Sequence, residues 1–434
     1  MKRYAINDLR TWKKNRRRKP LLVQGARQVG KTWLLREFGR LEYANTAYVN
    51  LAENDEAAAA FEGTLRVDGL VRKLSAAAGE AIRAGETLIV LDEIQASERA
   101  LNALKFFREN APQYHVAAAG SLLGVALNHN HMSFPVGQVD FLDLHPLGFC
   151  EFLEALGEDA LCGYLQRHDW ELMETMRARY TELLRLYLCI GGMPEAVAAF
   201  AEVPDFAAVG RIHRAILQSY ENDFGKYISR KDFANIRAVW GAVPRMLAHE
   251  RKFSYSKVKP GGRGRDFEGS IEWLCRSGLL HRVSRATKPC LPLAAYGDSA
   301  AFKLYMLDCG LLTTMAGLDA DAVLQGNALF TEFKGALAEQ YVLQTLKLNG
   351  DLPSAYWATD SNSAEVDFIF SRKGNVIPLE VKAAANLKSK SLQSYRTRFN
   401  PPCAVRASLA GMGEKDALYS VPLYAMEQLM DILP

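Results

Sequence analysis

Leu21-Leu22-Val23-Gln24, followed by Gly25-Ala26-Arg27-Gln28-Val29-Gly30-Lys31-Thr32, decides the reading of the first third of the chain. From Gly25 onward the stretch satisfies G-x-x-x-x-G-K-[ST] without a gap, with an apolar strand before it and a helical run after it. The glycines let the backbone close around a β-phosphate with its N–H groups turned inward. The N-terminus of the following helix adds partial positive charge. Gly25, Ala26, Arg27, Gln28, Val29, Gly30, Lys31 and Thr32 are therefore expected to hold ATP. Lys31 would reach the β- and γ-phosphates, and the Thr32 hydroxyl would ligate Mg²⁺.

A second stretch supplies the rest of such a site. Thr87-Leu88-Ile89-Val90-Leu91-Asp92-Glu93 is an apolar strand ending in two acids. Parallel strands deliver their C-terminal residues to the crevice where ligands bind. Asp92 is expected to hold Mg²⁺, and Glu93 to polarise the attacking water as the catalytic base. Alone, an acidic strand end is an ordinary solvated loop; beside a phosphate loop it completes a hydrolysis site. The next strand, His115–Ala119, ends in Gly120-Ser121, and Ser121 is expected to sense the γ-phosphate, although Gly-Ser is also common turn chemistry. Arg27, Arg99 and Arg108 are candidates for an arginine finger, with no motif to choose among them.

Outward from these stretches, 434 residues imply two or three domains at about 150 residues each. No apolar run approaches the ~20 residues of a membrane span, and the basic N-terminus lacks an apolar core. The seven cysteines are Cys150, Cys162, Cys189, Cys275, Cys290, Cys309 and Cys403; they never form CxxC and read as buried thiols of a cytoplasmic protein. Net charge is only +4, but Lys2–Lys19 carries nine Lys or Arg against Asp8 alone. The segment Arg251–Arg265 is basic and free of Asp and Glu. Such clusters suit a DNA partner, and equally a solvated face.

Strands alternate with helices through the first 150 residues (Pro20–Gln24, Lys31–Phe38, Ala47–Leu51, Val67–Ala84, Thr87–Leu91, Ala100–Asn110, His115–Ala119), which predicts an α/β fold with a parallel sheet. Residues 151–250 read as helical, including Trp170–Tyr187 and Pro204–Phe224. A Gly-rich break at Lys259–Arg265 is followed by a helix at Phe267–Ser277 and a strand at Leu279–Val283. The last segment reads as a helix (Glu332–Leu348), strands Ser354–Ala358, Glu365–Ser371 and Val376–Lys382, and a helix near Ser389–Phe399. The division expected is therefore an ATPase domain at 1–150, a helical connector at 151–250, a winged-helix-like region at 251–320 and a second α/β domain at 321–434.

The C-terminal strands carry their own acids. Asp367 precedes Glu380 by thirteen residues, and Glu380 belongs to Glu380-Val381-Lys382. Side chains two apart share a strand face, so Glu380 and Lys382 point together. This is the PD-(D/E)XK nuclease arrangement. Asp367 and Glu380 would share a divalent metal, Lys382 would orient water, and Glu339 on the preceding helix would complete the set. Taken alone, E-x-K reads as a surface ion pair; the strand order and Glu339 favour the nuclease reading.

Arg18-Lys19-Pro20 running into the Gly25–Thr32 loop, Leu91-Asp92-Glu93-Ile94-Gln95, Ala119-Gly120-Ser121, His145-Pro146-Leu147-Gly148-Phe149-Cys150-Glu151-Phe152-Leu153, Gly191-Gly192-Met193-Pro194-Glu195-Ala196-Val197 and Lys303-Leu304-Tyr305-Met306-Leu307-Asp308-Cys309-Gly310-Leu311 together resemble a broad group of prokaryotic AAA-type ATPases near the STAND class. The resemblance spans nearly the whole chain. It implies that Gly192-Met193-Pro194 links nucleotide state to the domains behind it, that a winged helix lies near Phe253–Val283, and that copies assemble so that a neighbour's arginine completes the site. The function expected is ATP binding and hydrolysis controlling a C-terminal nuclease-like, DNA-binding domain. The alternative is a nucleotide switch that grips DNA or a protein partner without cleavage.

Overall fold

In a computed structural model of the chain, Leu21–Gln24 forms β1, the strand that runs into the glycine loop. The structure describes residues 1–63, 65–121, 137–225, 230–250, 252–325, 331–350, 352, 354–361, 363–383 and 389–434. Arg251 of the second basic cluster lies outside them. Two compact units result: Lys2–His145 with Arg276–Gly278, and the remainder.

The first unit is built on a five-stranded sheet in the order β2-β3-β4-β1-β5, with β2 at Asn45–Asn50, β3 at Thr87–Asp92, β4 at His115–Ala119 and β5 at Asp140–Asp143. Every neighbouring pair is parallel. All residues of β3 and β4 are buried, as strands covered on both faces must be. Helices α1 (Ala5–Lys14), α2 (Lys31–Glu42), α3 (Val67–Ala78) and α4 (Glu98–Asn110) lie along the chain between or before these strands. Leu70 and Leu74 of α3 and Leu101, Leu104 and Phe107 of α4 share one core with Leu22, Ile89 and Leu91. Each such leucine, fully buried, stabilises the fold by about 2 kcal/mol.

Two expectations need correction here. The helix expected over Val67–Ala84 stops at Ala78, because Gly79 turns left-handed (φ 66°) and its N–H bonds back to Ala76. β5 was missed: its burial alternates on a short, polar edge, so it lacks the apolar run that marked the other strands.

In the second unit, the long helix expected over Trp170–Tyr187 is two, α5 (Trp170–Thr175) and α6 (Arg177–Ile190), divided at Met176, which leaves helical geometry (φ −94°, ψ 10°). Helices α7 (Pro194–Glu202), α8 (Phe206–Phe224), α9 (Arg230–His249) and α10 (Gly264–Arg276) follow. An eight-stranded sheet runs β12-β13-β11-β10-β9-β8-β6-β7. Its strands are β6 (Leu280–Ala286), β7 (Gly297–Met306), β8 (Ser354–Ala358), β9 (Glu365–Arg372), β10 (Asn375–Val381), β11 (Ala404–Ser408), β12 (Gly413–Lys415) and β13 (Leu418–Pro422). The strand expected at Leu279–Val283, β6, is part of this sheet, antiparallel to β7 and parallel to β8.

Within the sheet β8, β9 and β10 are successively antiparallel, and β10 runs parallel to β11. Helices α11 (Cys309–Met315), α12 (Thr331–Leu348) and α13 (Lys390–Phe399) belong to the same unit, α13 making the crossover from β10 to β11. Leu392 and Tyr395 seat α13 on Trp357, Val366 and Ile369. The cysteines are free; Cys290 is exposed and Cys275 half-buried, correcting the reading that all seven are buried. Among the described residues no helix is long and apolar enough to cross a membrane.

Candidate functional site

The phosphate loop leaves β1 with Gly25 at φ 146° and enters α2 through Gly30 at φ 93°. A Cβ at Gly25 would sit 2.3 Å from the Leu144 carbonyl oxygen, so only glycine fits the close approach to the chain after β5. Lys31 Nζ donates to the carbonyls of Gly25 (3.0 Å) and Ala26 (2.7 Å), which holds its ammonium over the loop. Burial lowers the Lys31 pKa to about 8, with Glu93 and Asp92 pulling it upward and Arg27 downward.

The acids of β3 stand opposite. Thr32 Oγ1 donates to Asp92 Oδ2 at 2.7 Å, and Tyr48 OH donates to the same oxygen at 2.9 Å. Glu93 follows in the left-handed region (φ 50°), an uncommon conformation for a residue with a side chain. Its carboxylate accepts a hydrogen bond from Gln95, and Ser121 Oγ lies 3.5 Å from its Oε2. Arg27 Nε reaches Ser121 Oγ at 3.4 Å.

Sheet order explains this convergence. β4 lies between β1 and β3, so Ser121 at its end emerges between the phosphate loop and the acid pair. Gly25–Thr32, Asp92, Glu93 and Ser121 are thus brought into one crevice. Of the other arginine candidates, Arg99 is spent on the Phe61 carbonyl (2.7 Å) and an ion pair with Glu62 (3.5 Å).

Sequence reasoning did not single out Arg3, which it read only as part of the basic Lys2–Lys19 cluster, a DNA contact or a solvated face. Its Nη1 donates to the Val29 carbonyl (2.9 Å), within the loop, and its Nη2 to the His145 carbonyl (2.6 Å). Arg10 and Lys13 of the same cluster pair with Glu42 at 2.8 and 3.8 Å.

The C-terminal acids also converge. Asp367 on β9 accepts the Val381 N–H of β10 at 2.7 Å, and Lys382 Nζ lies 2.7 Å from Glu380 Oε1. Burial drives the Asp367 pKa well above the carboxylate range, and the charges of Glu339 and Glu380 push it further. Lys303 and the Val381 N–H oppose that rise. Glu380 Oε2 is buried with no partner.

Lys303 was not foreseen; it sits on β7, outside the motif, and no spacing announces it. Its Nζ lies 3.1 Å from Glu339 Oε2 and 2.7 Å from Glu365 Oε1. Burial acts to lower its pKa, but Glu339, Tyr305, Glu365 and Asp367 more than offset this and hold it well above the usual value. Among the described residues no group of three or more acidic, histidine or cysteine side chains has metal-caging geometry.

Residues 17–153 match the family model of an AAA domain. Residues 181–322 match a domain of unknown function (DUF8612), and residues 334–424 another (DUF4143). No curated protein matches the chain. Among solved structures, a Walker-type ATPase of Pyrococcus abyssi is 12% identical over 71% of this chain and 94% of its own, at a TM-score of 0.42. The Aeropyrum pernix ORC2 protein, solved with ADPNP and ADP, is 14% identical over 75% and 95%, at 0.38. The ORC1 protein of the same organism, solved in complex with DNA, is 15% identical over 73% and 93%, at 0.28. The stretch that matches the AAA model contains the phosphate loop after β1 and the acid pair at the end of β3.

Proposed function

We propose that the chain binds and hydrolyses ATP at the crevice between β1, β3 and β4, and that nucleotide state governs a C-terminal domain that engages DNA. The observation that carries the first half is the contact of Thr32 with Asp92 beside Glu93 and Ser121. Thr32 and Asp92 present adjacent oxygens that fit Mg²⁺, which would neutralise charge on the β- and γ-phosphates. Lys31 exchanges the Gly25 and Ala26 carbonyls for phosphate oxygens. Glu93 accepts the proton of the attacking water, and Gln95 and Ser121 hold that carboxylate in place. Phosphate release at steady state tests the reading: a wild type no faster than Glu93→Gln overturns it.

The second half rests on topology. What supports it is the element order, helix α12, antiparallel strands β8, β9 and β10, crossover helix α13 and parallel strand β11, which is compatible with a PD-(D/E)XK arrangement in which Glu339, Asp367, Glu380 and Lys382 would act together. In the leading reading the domain cuts DNA. Plasmid cleavage with Mg²⁺ or Mn²⁺ and ATP tests it, and cutting that survives Glu380→Ala or Lys382→Ala removes those residues from the chemistry. A fold of this kind also serves as a binding module. The Lys303 ammonium inside the acid cluster favours that second reading, a switch that grips DNA without cleavage.

A further inference from the structure

The C-terminal cluster holds a cation that its motif does not require. Lys303 Nζ bridges Glu339 Oε2 (3.1 Å) and Glu365 Oε1 (2.7 Å), and its side chain is 8% exposed. Tyr305 OH donates to the same Glu339 oxygen at 2.8 Å, so that oxygen already accepts two hydrogen bonds. Asp367 Oδ2 is taken by the Val381 N–H and Glu380 Oε1 by Lys382. Each of the three carboxylates expected to ligate a metal thus has an oxygen committed to a proton donor.

Charge supports the same conclusion. Glu339, Glu365, Asp367 and Glu380 carry four negative charges when ionised; Lys303 and Lys382 carry two positive ones. A partly buried cluster of this kind, with Lys303 and Glu380 at its inner side, is stabilised when its charge is balanced from within or by a bound ion. A divalent ion entering beside Lys303 meets a fixed positive charge in a medium that screens it poorly. With that ammonium gone the same carboxylates attract the ion more strongly, and Glu380 Oε2, buried without a partner, offers an oxygen free to bind it.

We infer that Lys303 is a built-in counter-ion of this carboxylate cluster and competes with a divalent cation for it, so that the cluster takes up metal only when the Lys303 ammonium leaves. This rests on reading Glu339, Asp367 and Glu380 as a nuclease-type cation site.

Titration of Mn²⁺ into the full chain without nucleotide, with bound ions counted by electron paramagnetic resonance, tests the competition. Lys303→Met is expected to bind one more Mn²⁺ than the wild type, with an affinity for that site raised about tenfold or more. The double variant Lys303→Met/Asp367→Asn should lose that ion, and Lys303→Arg should keep the wild-type count. Lys303→Gln, made in parallel, is read in the same way if Lys303→Met fails to fold. A wild type that binds Mn²⁺ at this cluster as tightly as Lys303→Met overturns the inference. So does a folded neutral variant that gains no ion, which would make the cluster a structural ion-pair network. Failure of both neutral variants to fold, with Lys303→Arg stable, also overturns it, because the ammonium would then be obligatory for the fold. Plasmid cleavage is scored separately: a variant that gains the ion without cutting DNA upholds the competition and removes the nuclease reading.

Discussion

Asp308 Oδ2 accepts the backbone N–H of Gly192 at 2.7 Å, which ties the Gly191-Gly192-Met193-Pro194 turn to the residue that starts α11, 116 positions later. Asp308 also caps α11 through the Leu311 N–H at 3.0 Å, and Gln344 of α12 reaches it at 3.4 Å. Burial raises the Asp308 pKa, while the N–H groups of Gly192, Leu311 and Gly310 hold the charged form. Asp308→Ala strands two buried donors and removes a cap, at an expected cost of about 3 kcal/mol. Asp308→Asn should cost less. Urea unfolding followed by tryptophan fluorescence measures both, and an alanine variant within about 0.5 kcal/mol of wild type would exclude this role.

At the nucleotide site, binding and chemistry should separate. Glu93→Gln is expected to lower kcat for ATP hydrolysis by about 10²- to 10³-fold while leaving ATP affinity within a few-fold of wild type. Lys31→Ala should instead weaken ATP binding, because the loop loses its one ammonium, held on the Gly25 and Ala26 carbonyls. Titration with a fluorescent ATP analogue and single-turnover hydrolysis distinguish the two defects; equal losses of affinity in both variants contradict the assigned roles.

Arg3 acts on the loop from outside its motif. Its guanidinium fastens the Val29 carbonyl outward and ties the loop to His145. Arg3→Ala should weaken ATP binding by about three- to tenfold, because only part of the ~1.5–3 kcal/mol of a hydrogen bond from a charged donor is passed on to the nucleotide through the loop. Arg3→Lys should rescue little, since one ammonium cannot reproduce the planar fork. DNA affinity should not change, and its loss in parallel would return Arg3 to the phosphate-neutralising cluster.

Glu427 makes part of the stability pH-dependent. Its carboxylate accepts the N–H groups of Phe149 and Cys150 (the latter at 3.1 Å) at the start of helix Phe149–Ala155. Burial pushes its pKa up to about 7, with those N–H groups opposing and Glu151 adding to the rise. A carboxyl group raised in the folded state keeps its full contribution below its ordinary value of 4.5 and loses it as pH climbs through about 7. The expected loss is on the order of 3 kcal/mol. His213, lowered by burial to about 4, acts in the opposite sense as pH falls below its ordinary value of 6.5. The comparison that isolates Glu427 is therefore wild type against Glu427→Gln, in denaturation midpoints from mildly acidic to mildly alkaline pH. Parallel profiles would remove the effect.

The elements that build the nucleotide site were legible because each is local. A glycine loop needs its strand, its lysine and its helix start in one continuous stretch, and Gly25–Thr32 states all three. Asp92 and Glu93 were readable because a strand buried on both faces is uniformly apolar until the sheet edge. The strand His115–Ala119 was placed to the residue for the same reason. β5 was not, since its burial alternates along the sheet edge, and β7 was not, since its Gly297–Ala300 half is largely exposed and polar before the buried run Ala301–Met306.

The sequence by itself thus determined the phosphate loop, the acidic strand end, the α/β class and the Asp367–Lys382 pattern, all set by contiguous residues or by a short period. Only the tertiary structure decided that β4 lies between β1 and β3, that Arg3 fastens the loop, that Asp308 holds Gly192 and that Lys303 enters the carboxylate cluster. Those four relationships join residues far apart in the chain. Strand order follows from burying both sheet faces at once, and a buried ion pair from the need to neutralise a charge that water cannot reach, conditions that no local spacing encodes.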